Sequence, residues 1–246
     1  MKDDRQEFEA KKRQDATRMS QDPAVRDAAN TLYAKAYEYD YTYMWSWMGV
    51  PIIQSPDDIC AMQEIIWETK PQVIVETGVA RGGSILFSAA MLQLLGEGKV
   101  IGVDIEIRPH NRESIETHPL SHRVELIEAD AVADATLEQV RQSIGDAERV
   151  MVVLDSNHTH DHVLAELRAY APLVSPGQSL IVADTAVELD ITPTERDRPW
   201  GVGDNPMTAM RQYLTETDDF VSEKFINEKL LLTSNPDGYL RRKPIA

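Results

Sequence analysis

Cysteine is nearly absent: the 246 residues hold one, Cys60, which can close no internal disulfide and leaves a thiolate-rich metal site without a second ligand. A lone thiol of this kind is expected as a small buried apolar residue. Long apolar runs are also missing, and none approaches the ~20 residues that span a bilayer, so no membrane partner is expected. The opening stretch MKDDRQEFEAKKRQDATRM is charged throughout and lacks the short apolar segment of a secretory signal, which predicts a cytoplasmic chain. Positive charge is scarce: 25 Lys and Arg stand against 41 Asp and Glu, for a net charge of -16. Such a surface repels backbone phosphates, which argues against nucleic acid as a partner, whereas a cationic small molecule would be drawn in.

What is present reads as one soluble α/β domain with an N-terminal extension. Hydrophobic residues make up 42%, with 13 prolines and 12 glycines spread along the chain, an ordinary globular balance. The extension is placed at residues 1–56 and the main domain at 57–246. Residues 1–30 alternate charges without an apolar stripe, as a solvated helix or an arm would. From Thr31 to Pro51 the chain holds five tyrosines and two tryptophans. Rings of this density can line a pocket, build a subunit interface or pack the segment onto the core, and Tyr41 and Trp45 are taken as candidates to cover a substrate.

Beyond Ser55, Ile59, Met62, Ile65 and Ile66 fall at helical spacing, with Ser55 or an adjacent Asp as cap. Strand-like runs then recur at 72–77, 99–105, 123–130, 149–155 and 179–184. Helical patterns separate them at Ile85–Leu95, Thr136–Ile144 and Asp161–Leu173. Strands apolar on both faces, alternating with helices, predict a doubly wound, Rossmann-like α/β sheet covered by helices. Near the end, FINEKLLLTSNPDGYLRRK reads as two strands around the turn Asn235-Pro236-Asp237-Gly238, an antiparallel pair closing the sheet edge.

In open α/β sheets, ligands bind beyond the carboxyl ends of the strands. Five predicted strands end there in acids: Glu76, Asp104, Asp130, Asp155 and Asp184. A row of half-buried carboxylates at one edge is better explained by a ligand than by chance. Between the first strand and its helix, ETGVARGGS supplies Gly78, Gly82 and Gly83, which let the backbone turn tightly and approach a ligand. The spacing matches neither the dinucleotide nor the triphosphate loop. Glu76, just before the glycines, would repel phosphate and welcome an ammonium group, while Asp104 is placed to accept from ribose hydroxyls. An adenosine joined to an amino acid meets both demands, which points to S-adenosylmethionine.

A second cluster, LDSNHTHDH at Leu154–His162, gathers three of the six histidines just past a strand end. Imidazole serves as a general base or metal ligand, and carboxylates suit Mg²⁺. Asp155 and His158 are the functional candidates, His160 and Asp161 are possible substrate contacts, and His162 fits a structural helix position. The third cluster runs from Glu195 to Met210. There Asn205-Pro206 reads as a helix cap, and the preceding Arg198-Pro199-Trp200-Gly201 as a lid over a substrate or a loop pinned to the core.

Four stretches together resemble the cephalosporin hydroxylase and rhamnosyl O-methyltransferase family: PIIQSPDDICAMQEIIWETKPQVIVETGVARGGS, VIGVDIEIRPHNRESIETHPLSHRVELIEADA, LDSNHTHDHVLAELRAYAPLVSPG and DRPWGVGDNPMTA. The likeness runs from about Gly49 to Arg242. It implies a class I methyltransferase fold, a homo-oligomer, and S-adenosylmethionine held by Glu76, Gly78, Arg81, Gly83, Ser84, Asp104, Asp130 and Asp155. In related metal-dependent sugar methyltransferases, an acid and a Glu-Asp pair hold Mg²⁺ and a histidine acts as base. These map onto Asp155, Asp184 and His158, but Ala183 stands where the Glu is expected, which puts the Mg²⁺ site in doubt. The resemblance implies a small-molecule glycoside as substrate. Methyl transfer to an amino or hydroxyl group of a sugar-containing natural product is the leading expectation, an amino sugar being slightly preferred. Mg²⁺-dependent O-methylation of a neutral glycoside, a hydroxylase-like activity, and a non-catalytic partner that binds S-adenosylmethionine are the alternatives.

Overall fold

The computed structural model describes residues 3–191 and 197–244; Glu195 and Arg196, at the head of the third cluster, lie outside the described residues. The chain opens on two helices, α1 (Arg5–Ser20) and α2 (Pro23–Tyr37). Only Ala16 of α1 is buried, so this charged stretch is the solvated helix rather than an arm. Asp22 caps α2 by accepting from the Ala24 N–H at 3.0 Å, and Pro23 fixes its first turn. A 3₁₀ turn at Tyr41–Tyr43 leads into a small antiparallel hairpin, β1 (Trp45–Trp47) and β2 (Val50–Ile52).

The domain proper follows as α3 (Pro56–Thr69), β3 (Val73–Thr77), α4 (Gly83–Leu95), β4 (Lys99–Asp104), α5 (Pro109–Glu116) and β5 (Val124–Glu128). Its second half comprises α6 (Asp134–Ile144), β6 (Val150–Leu154), α7 (His160–Tyr170), β7 (Ser179–Val182), α8 (Pro206–Glu216), β8 (Phe220–Ser222), α9 (Lys224–Lys229) and β9 (Tyr239–Arg242). The seven-stranded sheet runs β5-β4-β3-β6-β7-β9-β8. Its first five strands are parallel, and β9 pairs antiparallel with both β7 and β8. Chain order reverses between β3 and β6, which is where such a sheet opens a crevice.

Period-two patterning builds both cores. Val73, Val75, Val150, Val152 and Leu154 face one helical layer, while Ile74, Met151 and Val153 face the other with α3 and α4. Each fully buried side chain of this size contributes roughly 1.5–3 kcal/mol. The predicted parallel strands are all found with ends trimmed by up to two residues, and their helices are found starting one or two residues earlier. On α3, Met62, Ile65 and Ile66 are buried as the spacing requires. Cys60 departs from expectation: it is exposed, because it falls on the outward face of that helix.

An antiparallel C-terminal strand pair closes the sheet edge as the sequence predicts, but its first strand lies elsewhere. The segment FINEK, predicted as a strand, is helix α9, and β9 is partnered by the earlier β8. Ile226 turns into the core, while the Phe225 ring is covered by Lys12, Arg13 and Lys229 cations 4.6–5.3 Å from its centroid. With β8 occupying the edge of β9, the segment between them gains more from burying one face of a helical turn than from a second pairing. Among the described residues, no helix is long and apolar enough to cross a membrane.

Candidate active site

A cleft of about 330 Å³ opens at the carboxyl edge of the sheet, where β3 and β6 lie side by side. Its floor is the glycine turn. Gly78 has φ +91, and a Cβ there would stand 1.9 Å from the Asp155 carbonyl oxygen, so no other residue lets the continuation of β6 pass so near. Ala80 sits at φ 45, a left-handed conformation that costs roughly 1–3 kcal/mol outside glycine. Two side chains hold it there. The Asp104 carboxylate accepts from the Val79 N–H at 2.8 Å and the Ala80 N–H at 3.2 Å, and the Asn111 amide donates to the Ala80 carbonyl at 2.8 Å.

Glu76 lies beneath the turn, 2% exposed, and accepts a hydrogen bond from the Ser84 hydroxyl. Burial pushes its carboxyl up to about 7, against the smaller opposing effect of the Ser84 bond. A carboxylate kept from water in this way is ready to pair with a cation. Gly82, Gly83, Arg81 and Ser84 also line the cleft.

The opposite wall carries Asp155, His158 and Asp184, whose ligand atoms all lie within 4.8 Å of one another. His158 Nε2 is 3.1 Å from Asp184 Oδ2, and its ring meets the edge of Trp200 with centroids 4.8 Å apart. Withdrawal from water raises the Asp155 carboxyl well above the usual carboxylate range, and the charges of Asp184, Glu76, Glu166 and Asp58 add to the effect. Asp184 itself is left-handed at φ 53.

The third wall is the Trp200 loop. Asn205 caps α8 by accepting from the Met207 and Thr208 N–H groups, and Thr208 returns the bond. The Asn205 amide also donates to the Gly201 carbonyl at 2.8 Å and to Glu188 at 2.6 Å. Glu188 in turn accepts from the Gly203 N–H at 2.8 Å, which with Asn205 holds its carboxyl below the usual range. The predicted cap therefore also shapes the loop that presents Trp200, and Arg198 rests over the Trp200 ring at 5.1 Å.

The N-terminal extension closes the fourth side. Tyr37, Tyr43, Pro51 and Gln54 reach the cleft. Gly83 makes the approach possible, since a Cβ there would stand 2.2 Å from the Pro51 carbonyl oxygen.

Several predicted positions fall elsewhere. Tyr41 and Trp45 do not line the cleft; they pack edge to face on each other at 5.5 Å. The left-handed Asp40 and the 3₁₀ turn after it present Tyr43 instead, and no periodicity in the sequence announces such a turn. His160 is corrected from a substrate contact to a structural residue: its Nδ1 lies 2.8 Å from the Thr208 hydroxyl and its Nε2 3.0 Å from the Gln212 carbonyl, so it joins α7 to α8. Asp161 is exposed in the first turn of α7, where its charge favours the helix end. His162 bonds the Ser156 hydroxyl at 3.0 Å and is kept protonated more readily by buried Glu166. Asp130 is exposed and accepts from the Val132 N–H at 3.1 Å, and neither it nor Asp104 is on the cleft wall. The Asp104 clamp on the turn depends on β3 and β4 being neighbours, which no local pattern reveals.

The strand order, with its reversed β9 beside β7, and the acid-flanked glycine turn define a Rossmann-like fold of the class I methyltransferase type. The chain belongs to the rhamnosyl O-methyltransferase/CmcI family, whose model matches residues 39–243. It is 29% identical over 202 residues to the rhamnosyl O-methyltransferase of Mycobacterium leprae (strain TN), covering 80% of this chain and 83% of that one. It is also 29% identical over 204 residues to the rhamnosyl O-methyltransferase of Mycobacterium tuberculosis (strain ATCC 25618 / H37Rv), covering 80% and 78%. Among solved structures, CmcI with Mg and SAM shares the fold at a TM-score of 0.58 and 20% identity, over 83% of this chain and 78% of that one. The O-methyltransferase TomG of Streptomyces achromogenes, in complex with SAM, does so at 0.54 and 18%, over 79% and 80%.

Proposed function

We propose that this protein transfers the methyl group of S-adenosylmethionine to a hydroxyl group of a sugar-containing small molecule. The observation that carries the reading is the meeting of Asp155, His158 and Asp184 in one cleft with the glycine turn. The turn fits the methyl donor: Glu76 offers a buried anion for its α-ammonium group, and the glycines leave the backbone open to a close ligand. The facing set fits a divalent cation, since two carboxylates and an imidazole converge there. Asp155 and Asp184 would hold Mg²⁺, which when bound supplies positive charge that favours the ionised form of an acceptor hydroxyl.

The remaining work falls to the protein. The Asp184 carboxylate, 3.1 Å from His158 Nε2, favours the ring proton on that nitrogen, which leaves the Nδ1 lone pair to take the acceptor proton. Trp200, Tyr37 and Tyr43 exclude water and hold the acceptor in line with the methyl group, so that positioning carries most of the rate. Residues 1–56 act in this reading as a cover over the 57–246 domain.

A second reading, methylation of an amino sugar, is favoured by Ala183. This buried residue offers no ligand where a third acid would strengthen a cation site, and an amine needs only to lose one proton to a base. Methyl-labelled S-adenosylmethionine, offered with a panel of neutral and amino glycosides with Mg²⁺ or with chelator, separates the two. Chelator-sensitive labelling of a neutral glycoside supports the first reading. Chelator-resistant labelling of an amino sugar replaces it with the second, and no labelling of any acceptor overturns both.

A further inference from the structure

The turn Ser234-Asn235-Pro236-Asp237-Gly238 does not join two paired strands, because α9 and not a strand precedes it. It is nonetheless built with care. Gly238 packs so tightly that a Cβ would stand 2.2 Å from the Val182 carbonyl oxygen, and Asn235 is 3% exposed. We propose that this turn is the clamp that aims the Asp184 carboxylate at His158, with Asn235 as its positioning residue.

Three hydrogen bonds join the turn to three consecutive residues. The Asp184 N–H donates to Asn235 Oδ1 at 2.9 Å, the Thr185 hydroxyl to the Pro236 carbonyl at 2.7 Å, and the Ala186 N–H to the Ser234 carbonyl at 3.0 Å. A fourth, from the Val182 N–H to the Gly238 carbonyl at 2.9 Å, fixes the strand just before them. The clamp is needed because Asp184 is left-handed at φ 53, a conformation that L side chains rarely adopt and that persists only when its surroundings determine it. The Asp184 carboxylate faces His158, with Oδ2 3.1 Å from Nε2, and a side chain this short takes its aim from its backbone.

The clamp is itself anchored from two other elements. Asp58 of α3, fully buried, accepts from the Thr233 hydroxyl, from the Ser234 N–H at 2.8 Å and from the Tyr239 hydroxyl at 2.8 Å. Tyr33 of α2 reaches the Ser234 hydroxyl at 2.8 Å. The N-terminal extension thereby braces the same turn that sets the Asp184 corner.

The test uses the full chain and two substitutions, Asn235→Ala and the near-isosteric Thr185→Val, each removing one clamp bond while leaving Asp184 and His158 in place. The direct readout is the ¹⁵N resonance of His158 Nε2, which reports its contact with the Asp184 carboxylate. Both variants are expected to move that resonance toward that of a free imidazole. For the activity readout, which alone rests on the methyl-transfer reading above, kcat is expected to fall roughly tenfold, as for residues that support a catalytic group from behind. KM for S-adenosylmethionine is expected to stay the same, since the glycine turn is untouched. A lowered melting temperature with unchanged resonance and kcat would mean a merely structural turn and would overturn the proposal. If Asn235→Ala does not fold, Thr185→Val decides by the same criteria. If the wild-type protein methylates nothing, the functional reading fails while the His158 resonance still decides the clamp.

Discussion

Glu76 should make the ligand-free protein less stable as pH rises, and Glu76→Gln should remove that dependence. Burial holds the folded carboxyl at about 7 against its ordinary 4.5. Between those values the folded state keeps a proton that the unfolded chain has lost, so stability falls with rising pH. The penalty is absent below about pH 4.5 and complete above about pH 7. At about 1.4 kcal/mol per pH unit it amounts to roughly 3 kcal/mol. The amide of the variant can still accept the Ser84 bond but never ionises. Relief of Asp155, whose carboxyl is raised partly by Glu76, acts in the same direction. Asp58, pushed up by burial to about 6, contributes equally to both proteins and cancels. Urea unfolding of the two proteins from pH 4 to pH 8, without ligand, should show nearly equal stability at the acid end and a gap of about 3 kcal/mol in favour of the variant at pH 8. S-adenosylmethionine should reverse the order at pH 8, because its ammonium group stabilises the ionised Glu76 and has no such partner in the variant. A gap that does not change with pH would refute the assignment of a raised Glu76 carboxyl, whatever the protein's activity.

Three further substitutions probe the other walls. His158→Ala should lower kcat by about 10²–10⁴-fold, the range of a lost general base, with binding of S-adenosylmethionine by calorimetry unchanged; a smaller loss would remove His158 from proton transfer. Gly78→Ala should lower the melting temperature and abolish binding of the methyl donor, since the added Cβ would meet the Asp155 carbonyl at 1.9 Å; wild-type behaviour in both assays would contradict the tight turn. Trp200→Ala should raise KM for the acceptor more than for the methyl donor, because its ring packs on His158; equal effects on both would make it a general prop of the cleft.

Much of the fold was legible because it rests on local signals. Runs such as Val73-Ile74-Val75 are apolar on both faces, which a buried parallel strand requires and an exposed one forbids. The glycine turn and the Asn205-Pro206 cap could be read because their backbone conformations admit few residues. Of the five strand-end acids, Asp155 and Asp184 line one cleft, and Glu76 is buried beneath its glycine turn, bonded to Ser84 of the wall. Asp104 is drawn instead to the backbone of the turn beside it, a partner that becomes visible only when β3 and β4 lie side by side. The place of His160 is hidden for a similar reason: Thr208 and Gln212, which engage both its ring nitrogens, are 48 and 52 residues away. The density of the aromatic segment leaves a pocket, an interface or plain packing open, and which tyrosines turn toward the cleft depends on one left-handed aspartate that composition does not reveal.

The contact between Gly83 and Pro51 ties two regions that would otherwise be free to diverge. The first residue of α4 lies where the ligand turn ends, and the hairpin of the extension rests directly on it. A graft of another family member's N-terminal segment would therefore seat on this domain only where the recipient keeps a glycine at this point. Hairpin and turn are sterically matched, and a change in either backbone must be met by the other.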